Sequence, residues 1–174
     1  TNANMSSANL TNANMTNAVL AGTNLSTADI VGTNLTGTDL SSATLTDVHG
    51  ENLTGCPNAL PTDWSCAANH LIGPTADLGG SVLSNQNLAG LNFTDTYVGW
   101  TQLNGANLSG ADFSGSTMNA VNMTGSDLTN SVFVDAYGYN MQGINADFTN
   151  EVSLVFPKGL DKDRALIKID PSPN

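Results

Sequence analysis

Before Lys158 the chain contains neither lysine nor arginine. Its four cations, Lys158, Lys162, Arg164 and Lys168, are confined to the last stretch, while residues 1–157 carry twelve carboxylates. A body without cations has nothing with which to neutralise phosphates, so it is not expected to bind nucleic acid. Long apolar runs are also missing. Hydrophobic residues make up 40% of the chain, yet no run approaches the roughly 18 residues of a membrane-spanning helix. Aromatics are scarce, at 6%, and cysteine and histidine occur twice each. No nucleophile stands beside a base in a motif, and no G-x-x-x-x-G-K-[ST] phosphate loop is present. His49 and His70 lack zinc-finger spacing to Cys56 and Cys66, and Asp161-Lys162-Asp163 falls short of a calcium loop. The expectation is therefore no enzyme, no catalytic residue, no metal and no cofactor.

What is present is a step of five. Met5, Leu10, Met15, Leu20, Leu25, Ile30, Leu35, Leu40 and Leu45 keep it, and so do Leu78, Leu83, Leu88, Phe93, Val98, Leu103, Leu108, Phe113, Met118, Met123, Leu128 and Phe133. Five matches neither the helical period of 3.6 nor the strand period of 2, and a fixed period signals a repeat architecture. With the large apolar residue as centre, i, position i−2 is small (Ala8, Ala28, Ala106, Ser126) and i−1 is usually Asn or Asp. Positions i+1 and i+2 are polar or glycine. Asn12, Gly32, Gly105 and Gly110 stand at i+2, where a tight turn demands positive φ. Two inward residues and one turn in every five describe a chain that bends at each repeat.

Ala8-Asn9-Leu10-Thr11-Asn12 and Ala106-Asn107-Leu108-Ser109-Gly110 closely resemble the pentapeptide repeat family. The resemblance covers about residues 1–50 and 76–150. It implies an all-β fold, a right-handed quadrilateral β-helix with four pentapeptides per coil of about twenty residues, so that i and i+20 stack. The sequence supports that coil independently, because Phe93, Phe113 and Phe133 lie twenty apart and form one expected ladder. Leu88, Leu108, Leu128 and Phe148 form another. At ~4.8 Å per coil, five to six coils imply a solenoid of roughly 25–30 Å whose interior is filled by side chains. The expected organisation is a solenoid over 1–152, interrupted by a non-repeat loop at 56–75, with a capping tail at 153–174 that includes a short helix over Leu160–Ile169.

The interruption Cys56-Pro57-Asn58-Ala59-Leu60-Pro61-Thr62-Asp63-Trp64-Ser65-Cys66 is bracketed by the two cysteines. A Cys56–Cys66 disulfide would close this excursion and place the protein in an oxidising compartment. A metal pair is the weaker alternative. Leu60, Trp64 and Leu71 are expected to pack back on the wall. Asp47–Gly55 and Asp135–Gly143 are duplicates that put Gly50 and Gly138 at centres, where a bulge or a three-residue slip to Leu53 and Met141 would avoid a void. The family resemblance suggests a cyanobacterial source and an exported member of the periplasm or thylakoid lumen, or a cytoplasmic one if the cysteines are reduced. The chain opens in mid-repeat at Thr1, which suggests a processed or truncated N-terminus.

Outward Tyr97 and Trp100, together with Trp64, form the candidate contact surface. The leading function is a non-enzymatic scaffold or binding module for a protein partner, as a monomer or weak oligomer. The resemblance supplies an alternative, a DNA mimic that inhibits DNA gyrase. Asp29, Asp39, Asp95, Asp112, Asp127 and Asp135 form no continuous rows at twenty-residue spacing, which disfavours it. Ice binding by threonine ranks is disfavoured by mixed columns such as Ser84, Asn104 and Thr124.

Overall fold

The computed structural model describes residues 2–143. The tail at 153–174, its helix over Leu160–Ile169 and the ladder position of Phe148 lie outside these residues. Two compact units divide the chain, Thr1–Leu78 and Gly79–Asn174.

In the first unit, parallel bridges join Asn4 to Asn24, Asn9 to Asp29, Asn14 to Asn34 and Val19 to Asp39. In the second, Val82 pairs with Gln102, Asn87 with Asn107, Asn92 with Asp112 and Tyr97 with Thr117. Each coil is therefore twenty residues with four bridges, one per pentapeptide, as the expected ladders require.

The backbone groups of one repeat show why five residues suffice. The centre donates forward to the next coil, as Leu10 N to Asp29 O at 2.8 Å, and its carbonyl accepts from Ala13 N at 2.9 Å to close the turn. Position i+2 donates forward as well, as Asn12 N to Val31 O, and i−1 donates backward, as Asp29 N to Ala8 O. Only the i+1 amide is left over. The Asn or Asp at i−1 accepts it through its side chain: Asn9 Oδ1 from Thr11 N at 3.0 Å, Asn107 from Ser109 and Asp127 from Thr129. This Asx turn satisfies the last donor of the repeat and gives the recurrent Asn/Asp its physical reason.

The centres fill each unit's interior. Leu25, Ile30, Leu35 and Leu40 are buried in the first, and Leu83, Leu88, Phe93, Leu103 and Phe113 in the second. The aromatic ladder forms as expected. Phe113 stacks on Phe93 at 4.5 Å between ring centroids and on Phe133 at 5.1 Å. Hydroxyls at the small i−2 position bond to centre carbonyls, as Thr33 Oγ1 to Leu10 O and Ser131 Oγ to Leu128 O. At i+2, Gly32 holds φ at +68°. A Cβ there would meet the Asn12 side-chain oxygen of the preceding coil, so a larger residue at 32 would require that side chain to shift.

The interruption differs from the loop expected at 56–75. The ladder runs up to it, with Asn34 paired to Gly55, and continues into it, with Asp39 paired to Ala59. The first pair is spaced twenty-one, so the chain gains one residue on the regular coil between His49 and Gly55. Beyond it β1 (Ser65–Ala67) and β2 (His70–Ile72) form an antiparallel hairpin. Leu71 N then donates to Gly50 O, and Leu53 N to Asn69 O. The extra residues thus form sheet hydrogen bonds with the irregular segment, and regular pairing resumes at His49 and Asp77. In the second duplicate Thr117 pairs with Tyr137 and Asn122 with Gln142. That copy keeps the register at Gly138, so no three-residue slip occurs there.

Candidate binding face and the disulfide hairpin

The hairpin unites Cys56 and Cys66 in a disulfide with a Cα–Cα distance of 5.9 Å, and no free cysteine remains. Trp64, Leu60 and Cys66 pack on the core of the first unit. The Trp64 indole lies against Gly73, where a Cβ would strike the ring. Trp64 is half-buried and packs back on the wall as its sequence context leads one to expect; the other contact candidates are Tyr97 and Trp100. Those two belong to the other unit.

Both histidines flank one carboxylate. His49 Nε2 lies 3.9 Å from Glu51 Oε1, and His70 Nε2 lies 3.8 Å from Glu51 Oε2. The buried His70 ring is oriented by its Nδ1, 2.7 Å from Ala68 O. Among the described residues no group of three His, Cys, Asp or Glu side chains is disposed to hold a metal ion. The hairpin thus brings His70 beside Glu51 opposite His49, with both Nε2 atoms buried and beyond hydrogen-bond distance of the carboxylate. Nothing in the spacing of His49, Glu51 and His70 announced it, because only the hairpin brings position 70 back to position 51.

Asp39 has the clearest electrostatic perturbation. Hydrogen bonds from the Ser41 backbone amide and then from its hydroxyl hold the Asp39 carboxyl below its ordinary value, against a small opposing desolvation.

The second unit gathers its tyrosines and Trp100 within three successive coils. Tyr97, Thr117 and Tyr137 form one ladder column. Trp100 N donates to Asn119 O and Ala120 N to Tyr139 O, so Trp100, Asn119, Ala120 and Tyr139 belong to the same three coils. Trp100 is 57% exposed, Tyr137 48% and Tyr139 42%. The Tyr97 ring covers Gly99 and meets Trp100 edge-on at 6.3 Å. Trp100 holds φ at +59°, a left-handed conformation that glycine or asparagine adopts at most other i+2 positions and that is costly for a bulky side chain. Asn119 Oδ1 is buried without a hydrogen-bond partner. Tyr137 and Tyr139 were not singled out as surface residues from sequence. Adding forty to position 97 would have found the first.

The family model for pentapeptide repeats matches eight copies, over residues 8–47 and 99–135. Over those two stretches the chain matches pentapeptide repeats. No curated protein matches the chain. Among solved structures it is similar to HetL, a pentapeptide repeat protein involved in heterocyst differentiation regulation from the cyanobacterium Nostoc sp. strain PCC 7120, at 19% identity over 87% of this chain and 85% of that one, with a TM-score of 0.30. It is similar to full-length QnrB1, a plasmid-mediated fluoroquinolone resistance protein, at 14% identity over 93% and 91%, TM-score 0.26. A pentapeptide repeat protein of the Arabidopsis thaliana thylakoid lumen matches at 15% identity over 87% and 61%, TM-score 0.19. No helix among the described residues is long and apolar enough to cross a membrane.

Proposed function

We propose that this pentapeptide repeat chain is a non-enzymatic scaffold that binds a protein partner in an exported, oxidising compartment, the periplasm or a thylakoid lumen. One observation carries the binding part: Trp100, Tyr137 and Tyr139 are all exposed within three successive coils. Exposed aromatic clusters mark contact surfaces. The Cys56–Cys66 bond supports the compartment, since thiols stay reduced in the cytosol. The ladder columns argue against the DNA-mimic alternative. Asp39 stands between Val19 and Ala59, and Asp112 between Asn92 and Val132, so neither column presents carboxylates at the regular spacing of a phosphate backbone.

Photo-crosslinking from position 137, with a control at exposed Val19, tests the reading in cells of the source organism. A discrete protein adduct at 137 and none at 19 is expected. Equal, diffuse labelling from both positions would overturn the binding-module reading. A DNA supercoiling assay tests the alternative, and potent gyrase inhibition would put the DNA mimic first.

A further inference from the structure

We propose that the aromatic wall of the second unit is a receptor for arginine side chains of the partner. This rests on the binding-module reading and adds its chemistry.

Three successive coils build the wall. The outer two contribute Tyr97 with Trp100 and Tyr137 with Tyr139, and the middle one places Thr117 between the two tyrosines of the column and Ala120 after Trp100 at the turn. Thr117 is shorter than the tyrosines on either side of it, which leaves a notch between them. With ~4.8 Å per coil, its two sides stand roughly 10 Å apart at the backbone, which admits a flat π-type group with room for the rings to lean. All three tyrosines of the chain and one of its two tryptophans are at this notch, so the aromatics are concentrated well beyond what scattered surface positions would give.

Charge selects the occupant. Asp95 and Asp135 each stand two residues before a tyrosine of the same column, and both are exposed. No lysine or arginine occurs before Lys158, so no cation among the described residues competes for these rings and carboxylates. An aromatic notch rimmed by carboxylates attracts a cation over the ring faces. Asn119 Oδ1, on the middle coil, is a buried acceptor without a partner. Guanidinium is planar, stacks on aromatic faces and carries five donors, whereas ammonium is a compact and strongly hydrated point charge. The combination favours arginine over lysine. The strained φ of Trp100 agrees with a role in binding, because asparagine or glycine would hold that turn at lower cost.

Calorimetric titration of the full chain with a short alternating Arg-Gly peptide tests this, at roughly 0.15 M salt to screen diffuse attraction. The Lys-Gly and citrulline-Gly counterparts serve as controls. The arginine peptide is expected to bind, the lysine peptide several-fold more weakly and the citrulline peptide not at all. Trp100→Asn and Tyr137→Ser should each weaken binding about tenfold, and Asp95→Asn with Asp135→Asn should weaken it and flatten its salt dependence. Val82→Ser, an exposed position on another column, should leave it unchanged. Circular dichroism confirms that each variant is folded. Equal affinity for the lysine and arginine peptides, or unaltered binding in Trp100→Asn, would overturn the proposal. So would tight binding of a neutral cello-oligosaccharide at the same residues. Failure of the peptide while the crosslink from position 137 persists would remove the arginine chemistry and leave the binding module standing.

Discussion

Leu71 occupies the core space that Gly50 leaves empty. A Cβ built on Gly50 would lie 3.2 Å from Leu71 Cβ and equally close to Ile30 Cδ1. Gly50 stands twenty residues after Ile30, at a centre position, and Leu71 is fully buried beside it. The hairpin thus returns a side chain that the repeat gave up. Leu71→Ala should cost about 2–5 kcal/mol, and Gly50→Ala, which overpacks the same spot, about 1–3 kcal/mol. Urea unfolding measures both. A Gly50→Ala variant as stable as the parent would show that the two residues do not share this space.

Phe113 is sandwiched between Phe93 and Phe133 with ring planes within 11° of parallel. Phe113→Ala should lose on the order of 3–5 kcal/mol, combining burial and cavity. Phe113→Leu should lose clearly less, because the other columns are leucine-rich and the coil tolerates that shape. A loss below about 1 kcal/mol in the alanine variant would mean that the rings do not support one another.

Trp100 should be less stable than its replacement. The left-handed conformation costs a bulky residue roughly 1–2 kcal/mol, and the edge contact with Tyr97 returns about 0.5–1.5 kcal/mol, at the low end where exposed. Trp100→Asn, a residue that holds φ near +58° at Asn130, is expected to raise stability by up to about 1 kcal/mol while abolishing the aromatic contact. A destabilised variant would show that Trp100 is chiefly a structural residue.

Asp39 gives a pH dependence with a definite sign. Its folded pKa lies below the ordinary 3.8 because Ser41 hydrogen-bonds the ionised form. The unfolded chain binds that proton more readily, so the contribution is full above the unfolded value and is lost as pH falls through the folded one. Asp39→Asn keeps the acceptor for the Ser41 amide, as Asn34 does for Thr36, and removes the charge. The melting temperature of this variant should fall less steeply than the parent's below about pH 4. Identical acid profiles would contradict the assignment.

Sequence by itself determined the repeat. A centre every fifth residue, a small residue at i−2 and phenylalanines twenty apart admit one stacking, because a register error would put Phe93, Phe113 and Phe133 on different walls. The Cys56–Cys66 pairing was legible for a related reason, since two thiols bracketing a short excursion have only each other. Gly50 was legible as an anomaly, but its solution was not: Leu71 is twenty-one residues away along an irregular path, and only β1 and β2 returning on the wall bring it there. His49, Glu51 and His70 meet for the same reason. The binding face lay between these cases. Tyr97 and Tyr137 share a column by counting alone, yet their exposure depends on which atoms the neighbouring coil covers. Tertiary structure decided that Trp64 is packed against Gly73 while Trp100 is presented to solvent, because burial belongs to what surrounds a side chain and a linear pattern records only which wall it stands on.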